Sequence, residues 1–475
     1  MLPPFLQVMF FIHGGGYIIG DAQPYLPTDL VADYDVIVVT SHYRLGLLGF
    51  LGTGDDFAPG NNALRDLQLG LKWVKDNIRA FGGDPDDVTI FGQSAGSGLV
   101  NFLSLSPQSK GLFSKAIMQS GTAVNPVSIL TKARAVSNMF GLAVRVGCLP
   151  WYNGSLPGFT RGIQQSVVQC LRNKPVDEFA TSWPSFEGVD PFDLLSMAFV
   201  SPFVDGDVVP DFPQDLLQDA DYLRNNGVLD RKYMVGINSM EGKLYYTGTP
   251  DYNSMDNFTS LVYYSAKSFF GPSTNTEMLD VIKFQYGYPL DQDGRPPLQG
   301  MLDMYTDTNY LVPTVQLLTY LTQASPTTDT FMYLFDYSAQ VRGPNNTLYR
   351  TDGANHGLEL AYLFDESNIS SIFAAGKHLD MDTDEARAVG QIFKGMWTDF
   401  AKSGNPTSAA PSSGQYPVWP RFDLRDQQFM RLSDKPVVEE RIYPKRVSLW
   451  LDFLPTLVTN STTSLPKMSG IIIPG

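Results

Sequence analysis

The sequence predicts an α/β protein, with a central, mostly parallel sheet flanked by helices on both faces. Three observations predict this class. The first 120 residues alternate short apolar runs with helical patterns. The apolar runs are nearly continuous, as in strands that are covered on both faces. Two of them run directly into glycine-rich turns, at residues 13–16 and 92–96.

Four strands are predicted in this first part of the chain, and two more follow downstream. They cover residues 8–12, 36–39, 88–91, 116–119, 233–237 and 331–337. A helix lies between the second and third strands and ends at Gly82-Gly83, with one apolar side formed by Leu64, Leu67, Leu71, Val74, Ile78 and Phe81. For residues 150–230 the pattern predicts only loops and short helices.

A late helix carries an apolar stripe at helical spacing, formed by Val389, Ile392, Phe393, Met396, Trp397 and Phe400. Asp382 and Glu385 form a cap signature at its start, and Gly404 and Pro406 close it. An aromatic stripe of this kind could hold a ligand, but a core-facing helix is the expected reading.

Composition narrows the classes of function. With 43% hydrophobic residues among 475, the chain can bury a large core, and we expect one domain over residues 1–475. Its 49 acidic and 34 basic residues give a charge of −15, which disfavours nucleic acid as a partner. No run of about 18 apolar residues could span a membrane. The apolar stretch 5–12 is predicted to be a strand rather than a signal peptide, because a glycine turn follows at once.

The most informative segment is Gly92-Gln93-Ser94-Ala95-Gly96, which lies between a predicted strand and a predicted helix. A serine on such a sharp turn exposes its hydroxyl, and the glycines let neighbouring chains pass closely. The alternative is a glycine-rich turn that only packs a helix on a sheet. The strand–turn–helix context favours Ser94 as a nucleophile of the α/β-hydrolase type.

A second motif fits the same chemistry. The first strand runs into His13-Gly14-Gly15-Gly16, where backbone N–H groups could hold a developing oxyanion. The amide of Ala95 would be a further donor. A phosphate loop would need a following Gly-Lys-Ser/Thr, which is absent.

The base must be one of four histidines. His13 belongs to the glycine turn, and His42 lies before Ser94, whereas this fold places its histidine last. His356 follows Gly353 in a glycine-flanked turn, and His378 has the pattern of a surface residue. Many carboxylates could be the acid, and Glu241, directly after a predicted strand, is the best placed of them.

At these residues the sequence resembles the type-B carboxylesterase and cholinesterase family over nearly its whole length. The shared segments are 11–17 (FIHGGGY), 43–51 (YRLGLLGFL), 60–68 (GNNALRDLQ), 73–78 (WVKDNI), 81–85 (FGGDP), 91–96 (FGQSAG), 204–207 (VDGD), 236–242 (GINSMEG), 356–360 (HGLEL) and 400–406 (FAKSGNP).

The resemblance implies roles for individual residues. Ser94, Glu241 and His356 would form the catalytic triad, and Gly15, Gly16 and Ala95 the oxyanion hole. Ser120 would orient Glu241 without contacting the substrate. The resemblance also implies a Cys148–Cys170 disulfide, and hence an oxidising compartment.

Five Asn-x-Ser/Thr sequons add to this, so we expect a glycosylated protein that is secreted or lies in the secretory-pathway lumen. The sequons begin at Asn153, Asn257, Asn345, Asn368 and Asn460.

The chain also departs from the family. Gln93 replaces the glutamate that cholinesterases carry, and residues 196–201 lack the paired phenylalanines of the acetylcholinesterase acyl pocket. Both disfavour a choline-ester enzyme. Only twelve residues precede the glycine turn, where the family has roughly a hundred. We therefore expect a truncated chain with an open sheet edge and poor solubility.

These observations predict a serine carboxylesterase that acts on small to medium apolar esters through an acyl-enzyme. A small-molecule ester would be its partner, with no metal and no cofactor. Two alternatives stay open. One is a non-catalytic, cholinesterase-like adhesion or binding protein, as in the neuroligin-like branch, whose members typically lose the nucleophile. The other is a cholinesterase or lipase specificity.

Overall fold

A twisted, eight-stranded sheet forms the centre of the molecule. The computed structural model describes residues 5–149, 160–181, 192, 200–246, 248–249, 252–342, 347–365, 378–408 and 416–458. The strand order is β11-β10-β6-β5-β4-β3-β1-β2, and a separate three-stranded sheet has the order β8-β7-β9. In chain order the strands are β1 (Leu6–Ile12), β2 (Val36–Ser41), β3 (Gly83–Gln93), β4 (Lys115–Gln119), β5 (Lys232–Asn238), β6 (Thr330–Phe335), β7 (Gln340–Arg342), β8 (Leu348–Arg350), β9 (His378–Leu379), β10 (Gln428–Leu432) and β11 (Val437–Glu440).

Every neighbouring pair in the large sheet is parallel except β10 and β11. Parallel neighbours need crossover connections, and helices supply them here. The predicted α/β-hydrolase class is therefore confirmed. The six predicted strands overlap β1 to β6, whereas β10, β11 and the small antiparallel sheet were not predicted.

Fifteen α-helices lie in the described residues. They are α1 (Thr28–Tyr34), α2 (Gly46–Phe50), α3 (Asn62–Asn77), α4 (Ala95–Leu105), α5 (Lys132–Arg145), α6 (Arg161–Arg172), α7 (Val176–Thr181), α8 (Pro213–Gln218), α9 (Ala220–Asn225), α10 (Met255–Phe270), α11 (Thr276–Gly287), α12 (Leu298–Thr306), α13 (Val312–Ala324), α14 (Asp384–Ser403) and α15 (Pro444–Ser448). Two π-helical turns, Asp307–Leu311 and Leu449–Phe453, follow α12 and α15.

Apolar side chains cover both faces of the sheet. Along β1, Val8, Phe10 and Ile12 pack into one cluster, while Met9 and Phe11 pack into the other. Alternate residues of a strand point to opposite faces, so burial of both sets explains why the strand reads as a continuous apolar run. The α14 stripe lies in the second cluster, which confirms it as a core-facing helix face.

Two boundaries differ from the sequence prediction. The helix of residues 64–81 ends at Asn77 and continues as a 3₁₀ turn to Phe81, and β3 already begins at Gly83. The cap of α14 is Thr383, whose hydroxyl accepts the N–H of Ala386, because the helix begins one residue later than Asp382 would require.

No helix in the described part of the chain is long and apolar enough to cross a membrane.

Candidate functional site

Ser94 lies on a strained turn between β3 and α4. Its backbone has φ 59° and ψ −127°, a conformation that residues with a side chain rarely adopt. The turn is held in place because the Ser94 N–H donates to the carbonyl of Gln119 at the end of β4, at 2.8 Å. The strand end therefore places Ser94 at the carboxyl edge of the sheet, where ligand sites of α/β proteins form.

Glycines allow this turn to pack directly on β1. A Cβ at Gly96 would lie 2.1 Å from the carbonyl oxygen of Ile12, and a Cβ at Gly92 would lie 2.8 Å from the same oxygen. No side chain fits at such distances, so both glycines of the motif are fixed by the approach of β1.

The second glycine segment lies against the same turn. A Cβ at Gly14 would be 3.0 Å from the Cβ of Ser94. Gly15 and Gly16 have φ of 113° and 61°, and the Gly15 carbonyl accepts the N–H groups of Ile18 and Ile19 at 3.0 Å. Ala95 is the first residue of α4. Gly14 thus lies against Ser94, and the predicted oxyanion donors Gly15 and Gly16 follow it directly in the chain.

His13 is part of this scaffold. Its ring is buried, stacks on Tyr43 with centroids 4.5 Å apart, and its Nδ1 donates to the carbonyl of Gly14 at 2.9 Å. Burial lowers the pKa of His13. A neutral, hydrogen-bonded ring fits a structural turn residue.

Glu241 and His356 form a buried pair. Glu241 is the first residue of a 3₁₀ turn after β5, and its carboxylate is fully buried. One carboxylate oxygen, Oε2, lies 2.5 Å from Nδ1 of His356, and the other accepts the backbone N–H of Asn238 at 2.7 Å. This arrangement fixes the proton of His356 on Nδ1, so Nε2 is the acceptor.

The acceptor Nε2 of His356 is occupied by Gln93 rather than by Ser94. The amide nitrogen Nε2 of Gln93 lies 3.1 Å from it, at a buried position. Among the described residues, no hydrogen bond joins the hydroxyl of Ser94 to His356. The turn at Ser94 therefore lies beside the Glu241–His356 pair, and Gln93 supplies the hydrogen bond between them.

A second buried carboxylate, Glu359, was not predicted to have a role in the site. Its oxygens accept Nδ2 of Asn238 and Nε2 of Gln119. Burial, and next the charge of Glu241, raise the pKa of Glu359 to about 7. The residue is in the shared segment 356–360, and its position three residues after His356 was the available signal.

Ser120 does not hold Glu241. Its hydroxyl is buried and has no hydrogen-bond partner in the described part of the chain, although its backbone has a positive φ of 58°. The N–H of Asn238 performs the task that the resemblance assigned to Ser120.

The predicted disulfide is confirmed. Cys148 and Cys170 are bonded with Cα atoms 5.6 Å apart, and the bond ties the segment after α5 to α6. Of the sequon asparagines, Asn257 lies in the first turn of α10, half-buried, and its side-chain amide donates to the carbonyl of Tyr252. Asn153, Asn345, Asn368 and Asn460 lie outside the described residues.

No group of three or more His, Cys, Asp or Glu side chains that could hold a metal ion occurs within the residues that the structure describes.

Comparison with known proteins adds two findings. A model of the carboxylesterase family matches residues 4–450. Human neuroligin-2 is 32% identical over 482 aligned residues, which cover 97% of this chain and 53% of the relative. Mouse neuroligin-3 is 29% identical, with 97% of this chain and 54% of the relative covered. The chain thus spans about half the length of the curated relatives it matches.

These relatives correct two predictions. The prediction of a serine carboxylesterase is wrong, because the similar proteins are neuroligins, the branch set against the enzyme in the sequence analysis. The prediction of a small-molecule ester as the partner is wrong for the same reason. Motifs of this kind establish which residues are present, whereas hydrolysis also depends on how Ser94 and His356 are joined. The family itself is shown by the model match over residues 4–450, and the chain belongs to the carboxylesterase family.

Proposed function

We propose that this chain is a non-catalytic, cholinesterase-like protein that binds another protein, as adhesion proteins on this fold do. The observation that carries the proposal is the 32% identity to neuroligin-2 over 97% of the chain. Neuroligin-2 and neuroligin-3 are both matched along the same length, so the likeness covers the whole α/β unit rather than one motif.

The contact between Gln93 and His356 supports the proposal. A serine hydroxyl becomes a nucleophile only when a base accepts its proton. Here the accepting nitrogen of His356 already receives the Gln93 amide at 3.1 Å. The hydrogen bonds from Gln93 to His356 and from His356 to Glu241 then have a structural role, because they join the end of β3 to the turn after β5.

An extracellular or secretory-lumen location goes with this proposal. The Cys148–Cys170 disulfide is typical of oxidising compartments. We include glycosylation of the sequon asparagines and the organisation of residues 1–475 as one α/β-hydrolase domain in the same proposal.

A hydrolysis assay tests the non-catalytic part. The purified chain and Ser94→Ala are compared on p-nitrophenyl acetate and with a fluorescent fluorophosphonate probe. We expect equal, background rates and no labelling that depends on Ser94. Turnover that is lost in Ser94→Ala, with kcat/KM above about 10⁴ M⁻¹s⁻¹, would overturn the proposal, because that is the range of working enzymes.

A bead assay tests the binding part. Beads coated with the chain are mixed with intact cells, with trypsin-treated cells, and, as a further arm, after coating with Ser94→Ala. We expect binding that trypsin abolishes and that Ser94→Ala retains in full, since the partner is a cell-surface protein and the hydroxyl is not used. Beads that bind no cell type tested, or bind trypsin-treated cells equally well, would contradict a protein partner.

A further inference from the structure

The π-helical turn Asp307–Leu311 contacts His356 and the 3₁₀ turn that begins at Glu241. Directly before the turn, the hydroxyl of Thr306 accepts the N–H of Gly242, the neighbour of Glu241, at 3.0 Å. Within it, the ring of Tyr310 lies 5.0 Å from the ring of His356. A shift of this turn therefore reaches the acid and the base at once.

Tyr310 is further fixed by its hydroxyl, which lies 3.2 Å from the hydroxyl of Tyr245. Tyr245 belongs to the same 3₁₀ turn as Glu241. Short π-helical turns are rare and occur disproportionately at functional sites, since they widen the helix locally and re-aim its side chains. Here the widened turn directs Tyr310 at His356 and, through Tyr245, at the Glu241 turn.

The other end of the turn is held by a buried charge pair. Asp307 is fully buried, and Nε of Arg446, on α15, lies 2.8 Å and 3.0 Å from its two carboxylate oxygens. The Tyr286 hydroxyl donates to Asp307, and the indole N–H of Trp450 donates to Tyr286 at 2.9 Å. A further contact of 3.1 Å joins Arg446 to Asp303 on α12.

A buried carboxylate depends on such a partner. Removal of one member of a buried pair leaves an uncompensated charge, and the structure must then move or take up a proton. Burial already raises the pKa of Asp307 to about 6, against the opposing effect of Arg446. The position of α15 thus decides whether Asp307, and with it the π-helical turn, can stay in place.

We propose that α15 controls the geometry of the Glu241–His356 pair through this turn: Arg446 holds Asp307, which keeps Thr306 against the Glu241 turn and Tyr310 against His356. Arg446 is a positioning residue in this arrangement, and the coupling does not depend on any reaction at Ser94. If α15 is displaced, the Glu241–His356 pair loses the contacts that the π-helical turn provides.

Hydrogen exchange followed by mass spectrometry tests the coupling. Arg446→Met is compared with the wild type and with Arg350→Met, which breaks an exposed pair with Glu385. In Arg446→Met, exchange of residues 238–246 and 353–360 is expected to accelerate about tenfold or more, because loss of a buried partner lowers the local opening free energy. Residues 62–77 of α3 provide the internal reference, because their local opening leaves the Arg446–Asp307 pair intact. They should exchange at the wild-type rate, as should every segment near the site in Arg350→Met.

Two outcomes would overturn the proposal. One is faster exchange confined to residues 444–457, and the other is an equal acceleration of α3, which would mean that the effect is not directed at the site. If Arg446→Met does not fold, Tyr286→Phe removes one hydrogen bond from Asp307 without a change of charge and should accelerate the same two segments to a smaller extent. Arg446→Lys should restore part of the protection, since it returns the charge but not the paired nitrogens.

Discussion

Two irregular turns flank His356, and they are held by opposite means. The turn at Ser94 reaches its imidazole through the amide of Gln93, and the π-helical turn reaches it through the ring of Tyr310. The first turn is kept in place by glycines packed on the backbone of β1. The second is kept in place by a buried charge pair whose members are 139 residues apart. The Ser94 turn should therefore be disrupted by a larger residue at one of its glycines. The π-helical turn should be disrupted by loss of a charge from the Asp307–Arg446 pair.

The strongest way to break the first turn is Gly96→Ala. The new methyl group would lie 2.1 Å from the carbonyl of Ile12, which is backbone and cannot rotate away. We expect a loss of more than about 4 kcal/mol in the free energy of unfolding, measured by urea denaturation, or no folded protein.

Gly141→Ala is the matched control. Gly141 is in the interior of α5, and a Cβ there would meet no atom within 4 Å. This change should stabilise the chain by about 0.5–1 kcal/mol, because alanine favours the helix. Equal stability of Gly96→Ala and the wild type would show that β1 does not constrain the turn.

The second turn is broken by Arg446→Met. Asp307 would stay buried without its partner, and we expect the free energy of unfolding to fall by about 3–5 kcal/mol. The double variant Arg446→Met with Asp307→Asn should recover part of that loss, since it removes the stranded charge. Arg350→Met, at an exposed pair, should cost about 0–1 kcal/mol. A double variant no more stable than Arg446→Met alone would contradict the electrostatic account.

A pH series tests the protonation of Glu359, the second buried carboxylate near the Glu241–His356 pair. The folded pKa of Glu359 is raised to about 7, above its ordinary 4.5, so the folded chain holds this proton more tightly than the unfolded chain does. Its contribution is complete below about pH 4.5 and is lost as the pH rises through about 7. Between about pH 5 and about pH 8, the wild type should lose about 1–3 kcal/mol more unfolding free energy than Glu359→Gln. Parallel stability curves would argue against the raised pKa.

The smallest expected effect concerns the N-cap of α14, a local contact, in contrast to the long-range Asp307–Arg446 pair. Thr383→Ala removes the hydroxyl that caps α14 and should cost about 1 kcal/mol of unfolding free energy. Asp382→Ala, at the cap position that the sequence suggested, should change stability by less than about 0.5 kcal/mol. The reverse order of the two losses would mean that α14 begins where the sequence predicted.

Sequence reasoning succeeded where structure follows from neighbours in the chain. The apolar runs predicted β1 to β6, and the Gly92–Gly96 motif predicted the turn at Ser94 and its close approach to a neighbouring chain, which is β1. It could not find the partner of Asp307, because no motif joins residue 307 to residue 446. The wrong prediction of an enzyme has a different source: the motifs supply Ser94, Glu241 and His356, but they do not separate the enzymes of this family from its neuroligins.

The sheet order has a consequence for biosynthesis. The contacts of the Ser94 turn with β1, β4 and Gly121 all lie within residues 6–121, since Gly121 packs on the carbonyl of Ser94 and β4 pairs with β3. Arg446 is made about 325 residues later, which at ordinary translation rates is roughly 15–65 s. β5 begins 113 residues after β4 ends, which is roughly 6–23 s of synthesis, and until then the open edge of β4 can pair with a foreign strand. The edge of β4 is therefore open to mispairing well before the residues that complete the site are made.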